Sequence, residues 1–403
     1  MNGVGWIQML KLKASYGVQG NDNLYPGANY ARHYYPYADN YTHSYNEETG
    51  EYSLALDYKG NEELTWESSH SFNVGLDFEI LGYWLNGGIE YFSRKTVDLL
   101  YSKDVPLSSG NPTGYYPVNV GSILNDGFEF NLDGHFIKSI DVDWTWNVNL
   151  SHYRNRILSL DPSVSEEGIK GGNYIYKVGG SLYEAYMRRY AGVDPTTGKA
   201  LWYEKVMDAE GKWTGQSETT STFADADQYE IGSVLPLVYG GFGMGLKAYG
   251  IDLNASFSFQ LGGRYYDGTY QALMHTSSGV GTAWHKDALL AWSPENPDSD
   301  IPRLDGDTSV GQTAVDNYLI SSNYLSINNI TLGYTFPAYV TDSLMIDALR
   351  IYVTGDNLAV FSARKGVDPR YSMGLGSFTS GSGLNSGSYS AMRTITAGVT
   401  LTF

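Results

Sequence analysis

From Thr394 to Phe403 the chain alternates without a break. Ile395, Ala397, Val399, Leu401 and Phe403 fall on one side, and Thr394, Thr396, Gly398, Thr400 and Thr402 on the other. A period of two predicts a strand with one apolar and one polar face. An aromatic closing such a strand is unusual for a soluble sandwich. It fits a strand crossing a bilayer, with lipid on one side, a wet lumen on the other and an aromatic at the interface. The pattern recurs along the chain. Leu10, Leu12, Ala14, Tyr16 and Val18 alternate with Lys11, Lys13, Ser15 and Gly17, and Phe72, Val74, Leu76, Phe78 and Ile80 with Asn73, Gly75, Asp77 and Glu79. Further runs cover 85–91, 128–136, 142–150, 238–248, 251–261, 329–336 and 349–354, giving about ten strands near the ~9–11 residues that span a bilayer.

The connections alternate too. Those near 81, 139, 250 and 341 are tight, whereas those at about 20–68, 94–124, 158–236, 262–322 and 362–389 are long and rich in turn residues. A sandwich or propeller has no reason to alternate this way. The expected fold is therefore all-β: an antiparallel transmembrane β-barrel with short periplasmic turns and long extracellular loops. Each tight end carries an aromatic. Trp144, Tyr249, Phe336 and Phe403, with Tyr83 and Tyr339, form the expected periplasmic girdle. Arg393 falls on the lipid side by parity, yet it lies ten residues above Phe403. At ~3.3 Å per residue and ~40° tilt that is about 25 Å, the full apolar band. Arg393 is then either a partner for lipid phosphates or a solvated loop-end arginine.

An open sheet in hydrocarbon would leave unpaired amides at several kcal/mol each. Either the ten strands close on each other or more strands precede Met1. The opening Met1–Gln8 has no basic start, apolar block or cleavage site, so the export signal is expected upstream and the chain is read as a fragment. No apolar run approaches the ~18 residues of a membrane helix.

Composition agrees with this reading. The 403 residues include 47 glycines, 35 tyrosines, 9 tryptophans and no cysteine, with a net charge of −18. High tyrosine and glycine favour strands over helices. The acidity leaves no basic stripe for phosphates and argues against nucleic acid. The polar face predicts a mixed, mildly acidic lumen wall of Asp77, Glu79, Glu90, Glu129, Asp133 and Asp252, balanced by Lys11, Lys13 and Lys247.

Catalytic motifs are absent: there is no HExxH, no GxSxG and no cysteine site, and the chain is read as non-enzymatic. Seven histidines are scattered, and His135 on a polar face reads as lumen-lining rather than ligating. Gly240–Gly245 (GGFGMG) mimics a phosphate loop but lies inside a strand pattern with no helix after it, so small residues easing strand packing is the better reading. No cofactor is expected. Asp305, Asp307, Asp300 and Asp316 lack EF-hand spacing, which leaves a structural calcium or a solvated acidic loop. Aromatics gather in the long loops: Tyr34, Tyr35 and Tyr37 in the first, Tyr115 and Tyr116 in the second, Trp284 and Trp292 in the fourth. They are candidate cargo contacts, or they pack loops and partners together.

Several stretches resemble the SusC/RagA family of TonB-dependent outer-membrane transporters of Bacteroidetes. They are LKASYGVQGN from Leu12, LTWESSHSFNVGLDF from Leu64, YFSRKTVDLLY from Tyr91 and NVGSILNDGFEFNLDG from Asn119. GVDPTTGKALWY from Gly192, YLSINNITLGYTFP from Tyr324, LRIYVTGDNLAVFS from Leu349, GVDPRY from Gly366 and RTITAGVTLTF from Arg393 follow in the family's order. The resemblance covers nearly the whole chain and maps to the family's carboxyl-terminal barrel portion. It implies a 22-stranded barrel, a plug and TonB box that this sequence lacks, and a SusD-like surface lipoprotein as a lid. It also implies oligosaccharide or peptide cargo, an energy supply through TonB, and the outer membrane as location. The alternative is a standalone ten-stranded outer-membrane barrel acting as a surface protease or adhesin, with His33 and Asp39, or His285 and Asp287, at its rim.

Overall fold

A computed structural model describes residues 5–24, 35–162, 167–274, 281, 283–304, 315–366, 368–372 and 391–403. Ten strands form one antiparallel sheet in which each pairs with the next along the chain. They are β1 (Ile7–Asn21), β2 (Glu67–Ile80), β3 (Leu85–Val97), β4 (Ser122–Lys138), β5 (Val142–Ser159), β6 (Val238–Ala248), β7 (Ile251–Leu261), β8 (Tyr324–Thr335), β9 (Ala348–Ser362) and β10 (Thr394–Thr402). This up-and-down meander is the topology of a transmembrane barrel wall. Among the described residues, the outer edges of β1 and β10 carry no β partner.

The register keeps the two faces separate. Leu10, Leu12 and Ala14 stand opposite Phe78, Leu76 and Val74. Leu253 pairs Leu332, which pairs Val353, which pairs Ala397. The large apolar side chains of this face are exposed, Leu12 at 74% and Ile395 at 71%. For a soluble protein that would be a costly inversion; for a wall facing lipid it is the arrangement required.

Local chemistry closes the tight ends. The β6–β7 hairpin turns on Tyr249 and Gly250, both at positive φ (50° and 85°), the two-residue turn whose twist matches the strands. A bulge places Asn357 and Leu358 of β9 against Asn328 of β8. It resets the alternation without moving Leu325 or Ile327 off the apolar face, since they still pair with Phe259 and Phe257.

The enclosed apolar core lies above the wall. The β5–β6 connection folds into a four-stranded sheet (169–171, 174–176, 184–188 and 228–233) and a three-stranded one (190–193, 200–207 and 213–220). Met187, Ala200, Trp202 and Ala226 from this connection pack with Tyr266, Val315 and Tyr318 from the β7–β8 connection. Two loops thus share one interior and form a single extracellular lobe. Sequence periodicity shows nothing of it.

Besides bonds from Ile157 of β5 to Gly179 and Gly180, a neck at the tops of β6, β7 and β8 joins lobe to wall. Gly262 and Gly263 leave β7 at φ of 75° and 79°. A Cβ on either would stand 2.8 Å from Leu237 or from the Ser322 hydroxyl. Leu237 N–H donates to the Leu261 carbonyl at 2.9 Å, and Gln260 Nε2 donates to Ser322 Oγ at 2.7 Å. The ends of β6, β7 and β8 are clamped together at this point.

Candidate functional site

The face opposite the apolar one is predominantly polar. The register sets Asp77 against Lys11, Glu90 against Glu129, Asp133 against Asn147, and Lys247 against both Asp143 and Asp252. Asp77, Glu79, Glu90, Glu129, Asp133, Asp252 and Lys247 all stand on this side. Some are tied by ion pairs. Lys13 Nζ lies 2.7 Å from Asp77 and 3.9 Å from Glu90. His135 Nδ1 lies 2.7 Å from Asp143, so its ring is engaged structurally near the tight-turn end.

The strongest tie involves a residue that parity pointed to but sequence reasoning did not single out. Arg350 of β9 donates two hydrogen bonds to the Asp252 carboxylate of β7, at 2.9 and 2.6 Å. Strand β8 runs between them, and the pair spans it over Gly333. A Cβ there would stand 2.5 Å from both side chains. The glycine is what lets the bidentate clamp link alternate strands. Asp252, Lys247 and Arg350 line a recess of about 840 Å³ at this end of the wall.

The glycine-rich run in β6 works on the same principle. Gly241, Gly243 and Gly245 face the inner side, where an added Cβ would meet Asn149, Asn147 and Thr145 of β5. The polar row of β5 therefore lies beside three successive inner positions of β6 that carry no side chain, between Tyr239 and Lys247.

At the upper end the loops lean over this wall. Asn155, on the inner side of β5, accepts the Leu182 N–H at 2.7 Å. Arg370 reaches Ser326 of β8 at 2.9 Å while Asp368 grips its guanidinium at 2.8 and 2.6 Å. Tyr153 and Tyr239 meet edge to face at 6.2 Å.

The candidate loop aromatics separate by surroundings. Tyr35, Tyr37 and Trp284 are exposed. Tyr115 and Tyr116 are half-buried in a hairpin with 100–104. Trp292 packs on Gly198 and donates to the Pro195 carbonyl at 3.1 Å, holding the turn made by Asp194 and Thr197. Tyr34, His33, Asp305 and Asp307 lie outside the described residues. Asp316 accepts the Tyr190 N–H at 2.8 Å, and among the described residues no cluster suits a metal ion. His285 Nδ1 accepts the Asp287 N–H at 3.2 Å as a local helix cap, with Tyr270 donating to the Asp287 carboxylate, and Asp39 is paired with Lys59 at 2.7 Å.

The tight ends of the strands carry Trp144, Tyr249, Phe336 and Phe403; all but the half-buried Phe336 are exposed. Phe136 packs on Trp144 and Trp146 at 4.9 and 5.7 Å. About ten residues higher, the apolar face turns polar. His70 pairs with Lys95, and Asp126 of β4 is gripped by Arg154 and Arg156 of β5. Arg393, just before β10, is exposed at the corresponding height.

Residues 3–358 match the family model described as "TonB dependent receptor-like, beta-barrel". TonB-dependent receptors P26 and P3 of Formosa agariphila are 30% and 27% identical over 98% of the chain. SusC of Bacteroides thetaiotaomicron is 27% identical over 92%. The chain spans 36–40% of the length of these relatives. The RagAB peptide importer in its open-open state superposes with a TM-score of 0.77 at 26% identity, over all of this chain and 41% of that one.

Proposed function

Since the chain belongs to the TonB-dependent receptor-like β-barrel family of the outer membrane, we propose that it is part of the wall of a SusC/RagA-type active transporter. In this reading the wall guides oligosaccharides or peptides inward beside a SusD-like surface lipoprotein, and the energy arrives from TonB through a plug. The observation that carries it is the pairing of a lipid-exposed apolar face with a continuous polar wall beneath an ordered lobe. A wall of this kind holds cargo in water while it crosses oil. Further strands of a larger barrel, pairing with the free edges of β1 and β10, would satisfy their amides.

Tyr35, Tyr37 and Trp284 are the proposed cargo contacts, because their rings are exposed. Aromatic faces stack on sugars and grip peptide side chains. Catalysis has less support: the His285 ring is occupied in capping the Asp287 N–H, and the Asp287 carboxylate accepts the Tyr270 hydroxyl. The test is uptake of labelled oligosaccharides and peptides by cells with and without the gene. We expect accumulation to require both the gene and a functional TonB. Uptake that persists without either would remove the proposal.

A further inference from the structure

The lobe contains a recess of about 1070 Å³. Six cations line it (Lys170, Lys177, Arg189, Lys205, Lys212 and Arg264), against three carboxylates, Glu167, Glu230 and Asp316. In a chain of net charge −18 this is a local reversal of sign. Of the six, only Lys177 is in an ion pair among the described residues, with Glu230. Asp316 sits at the floor of the recess, where its carboxylate accepts the Tyr190 N–H and burial pushes its pKa up against the pull of Arg189 and Arg264.

Lys205 is the best-positioned cation. Its ammonium donates to the Gln228 carbonyl at 2.7 Å and lies 4.9 Å from the Tyr229 ring, 5.4 Å from Trp213 and 6.0 Å from Tyr186. Burial lowers its pKa; Asp227 and Glu230 oppose this, while repulsion from Lys170 and Lys177 adds to it. Six cations against three carboxylates in the lining leave an excess of positive charge that is focused into the recess. An anion from solution relieves their mutual repulsion.

We propose that this recess is a binding subsite for acidic oligosaccharides, sugar chains bearing carboxylate or sulfate groups. The inference rests on the transport reading and narrows its cargo. The recess matches the upper range of ligand pockets, ~300–1,000 Å³, so it takes an oligomer rather than a single sugar. Trp213 is the exposed ring beside the cations. A sugar ring offers an apolar face and a fixed charged substituent together, which suits an aromatic wall flanked by lysines. A peptide carboxylate swings on a flexible stem and makes poorer use of that wall.

The test is calorimetry on the protein in detergent at low salt. The probes are oligogalacturonate, a neutral maltooligosaccharide and polyglutamate. Lys170 and Lys212 are exposed, so substituting them spares the fold. We expect oligogalacturonate to bind, to bind more weakly as salt rises, and to lose about tenfold or more in affinity in the Lys170→Gln/Lys212→Gln variant. The Lys170→Arg/Lys212→Arg variant keeps the affinity. Equal binding of the neutral oligosaccharide, or no change in the glutamine variant, overturns the proposal. Tighter binding of polyglutamate overturns it in favour of acidic peptides. TonB-dependent uptake unaffected by the glutamine pair leaves the transport reading standing and removes this one. Charge-dependent binding without uptake does the reverse.

Discussion

At Gly333 the absence of a side chain determines what two neighbours can do. Its missing Cβ gives Arg350 and Asp252 room to meet across β8, so Gly333→Ala is expected to break the clamp without removing either charge. Arg350→Met removes one partner and leaves Asp252 unpaired on the wall. Both variants should lower the temperature at which the folded form disappears in a heat-modifiability gel, with Gly333→Ala close to Arg350→Met. A wild-type midpoint for Gly333→Ala would show that the clamp does not depend on the glycine. Glu184 in the lobe offers a test by pH. Burial raises its pKa and Glu230 adds to the effect, partly offset by Arg264. Below the ordinary glutamate range the carboxyl is protonated whether folded or not. As pH rises from that range through the raised native value, the unfolded chain releases its proton first and the lobe loses stability. Glu184→Gln should abolish that loss, read as a flatter dependence of lobe melting on pH. Parity in the sequence placed Asp252 on the polar face. It did not reveal that Arg350 would reach it, because the contact depends on a glycine in the strand between.

Among the elements, the ten strands were legible because a lipid-facing wall needs strict alternation, and nothing else in the chain imitates it over nine residues or more. Their upper ends were not. β4 begins at Ser122 and β5 runs to Ser159, several residues beyond the alternation visible near 128 and 150. There the apolar face changes to Asp126, Arg154 and Arg156, and cross-strand ion pairs hold the ladder in place of hydrocarbon. The change comes about 25 Å above Trp144, the height at which lipid headgroups begin. Asp126 is almost fully buried beneath the two guanidiniums. Asp126→Ala removes the carboxylate that both guanidiniums share and, because those guanidiniums are exposed, should lower stability by about 1 kcal/mol, measured by urea titration in lipid vesicles. Asp126→Asn, which still accepts hydrogen bonds, should lose less. Equal losses from the two would mean that the negative charge itself, not the side chain's packing or its accepted hydrogen bonds, sets the effect.

For the molecule as a whole, the barrel wall was readable and the lobe was not. The lobe's strands are short, rich in Tyr, Thr and Gly, and show no lasting period. Its interior is gathered from Met187, Trp202, Tyr266 and Tyr318, which two separate connections bring together only in three dimensions. The cations of its recess come from several strands and turns for the same reason, so no run of sequence announces them. Sequence could propose loop aromatics as contacts, but Trp292 turned out to seat a turn, because its partner Gly198 lies far away in the chain. The neck yields the prediction at this scale. Gly262→Ala and Gly263→Ala each force a side chain into a left-handed backbone and against neighbours, at roughly 1–3 kcal/mol. Limited proteolysis should then cut residues 160–236 and 264–322 faster while the barrel stays resistant; unchanged cutting would show that the neck is not a weak point. Two loops welded into one body and seated both on the neck and on Asn155 and Ile157 of β5 behave like a rigid beam on two supports. A push anywhere on the lobe arrives at the tops of β5, β6, β7 and β8 together, so a load on it would tilt that part of the rim as one piece rather than ruffle its loops one by one.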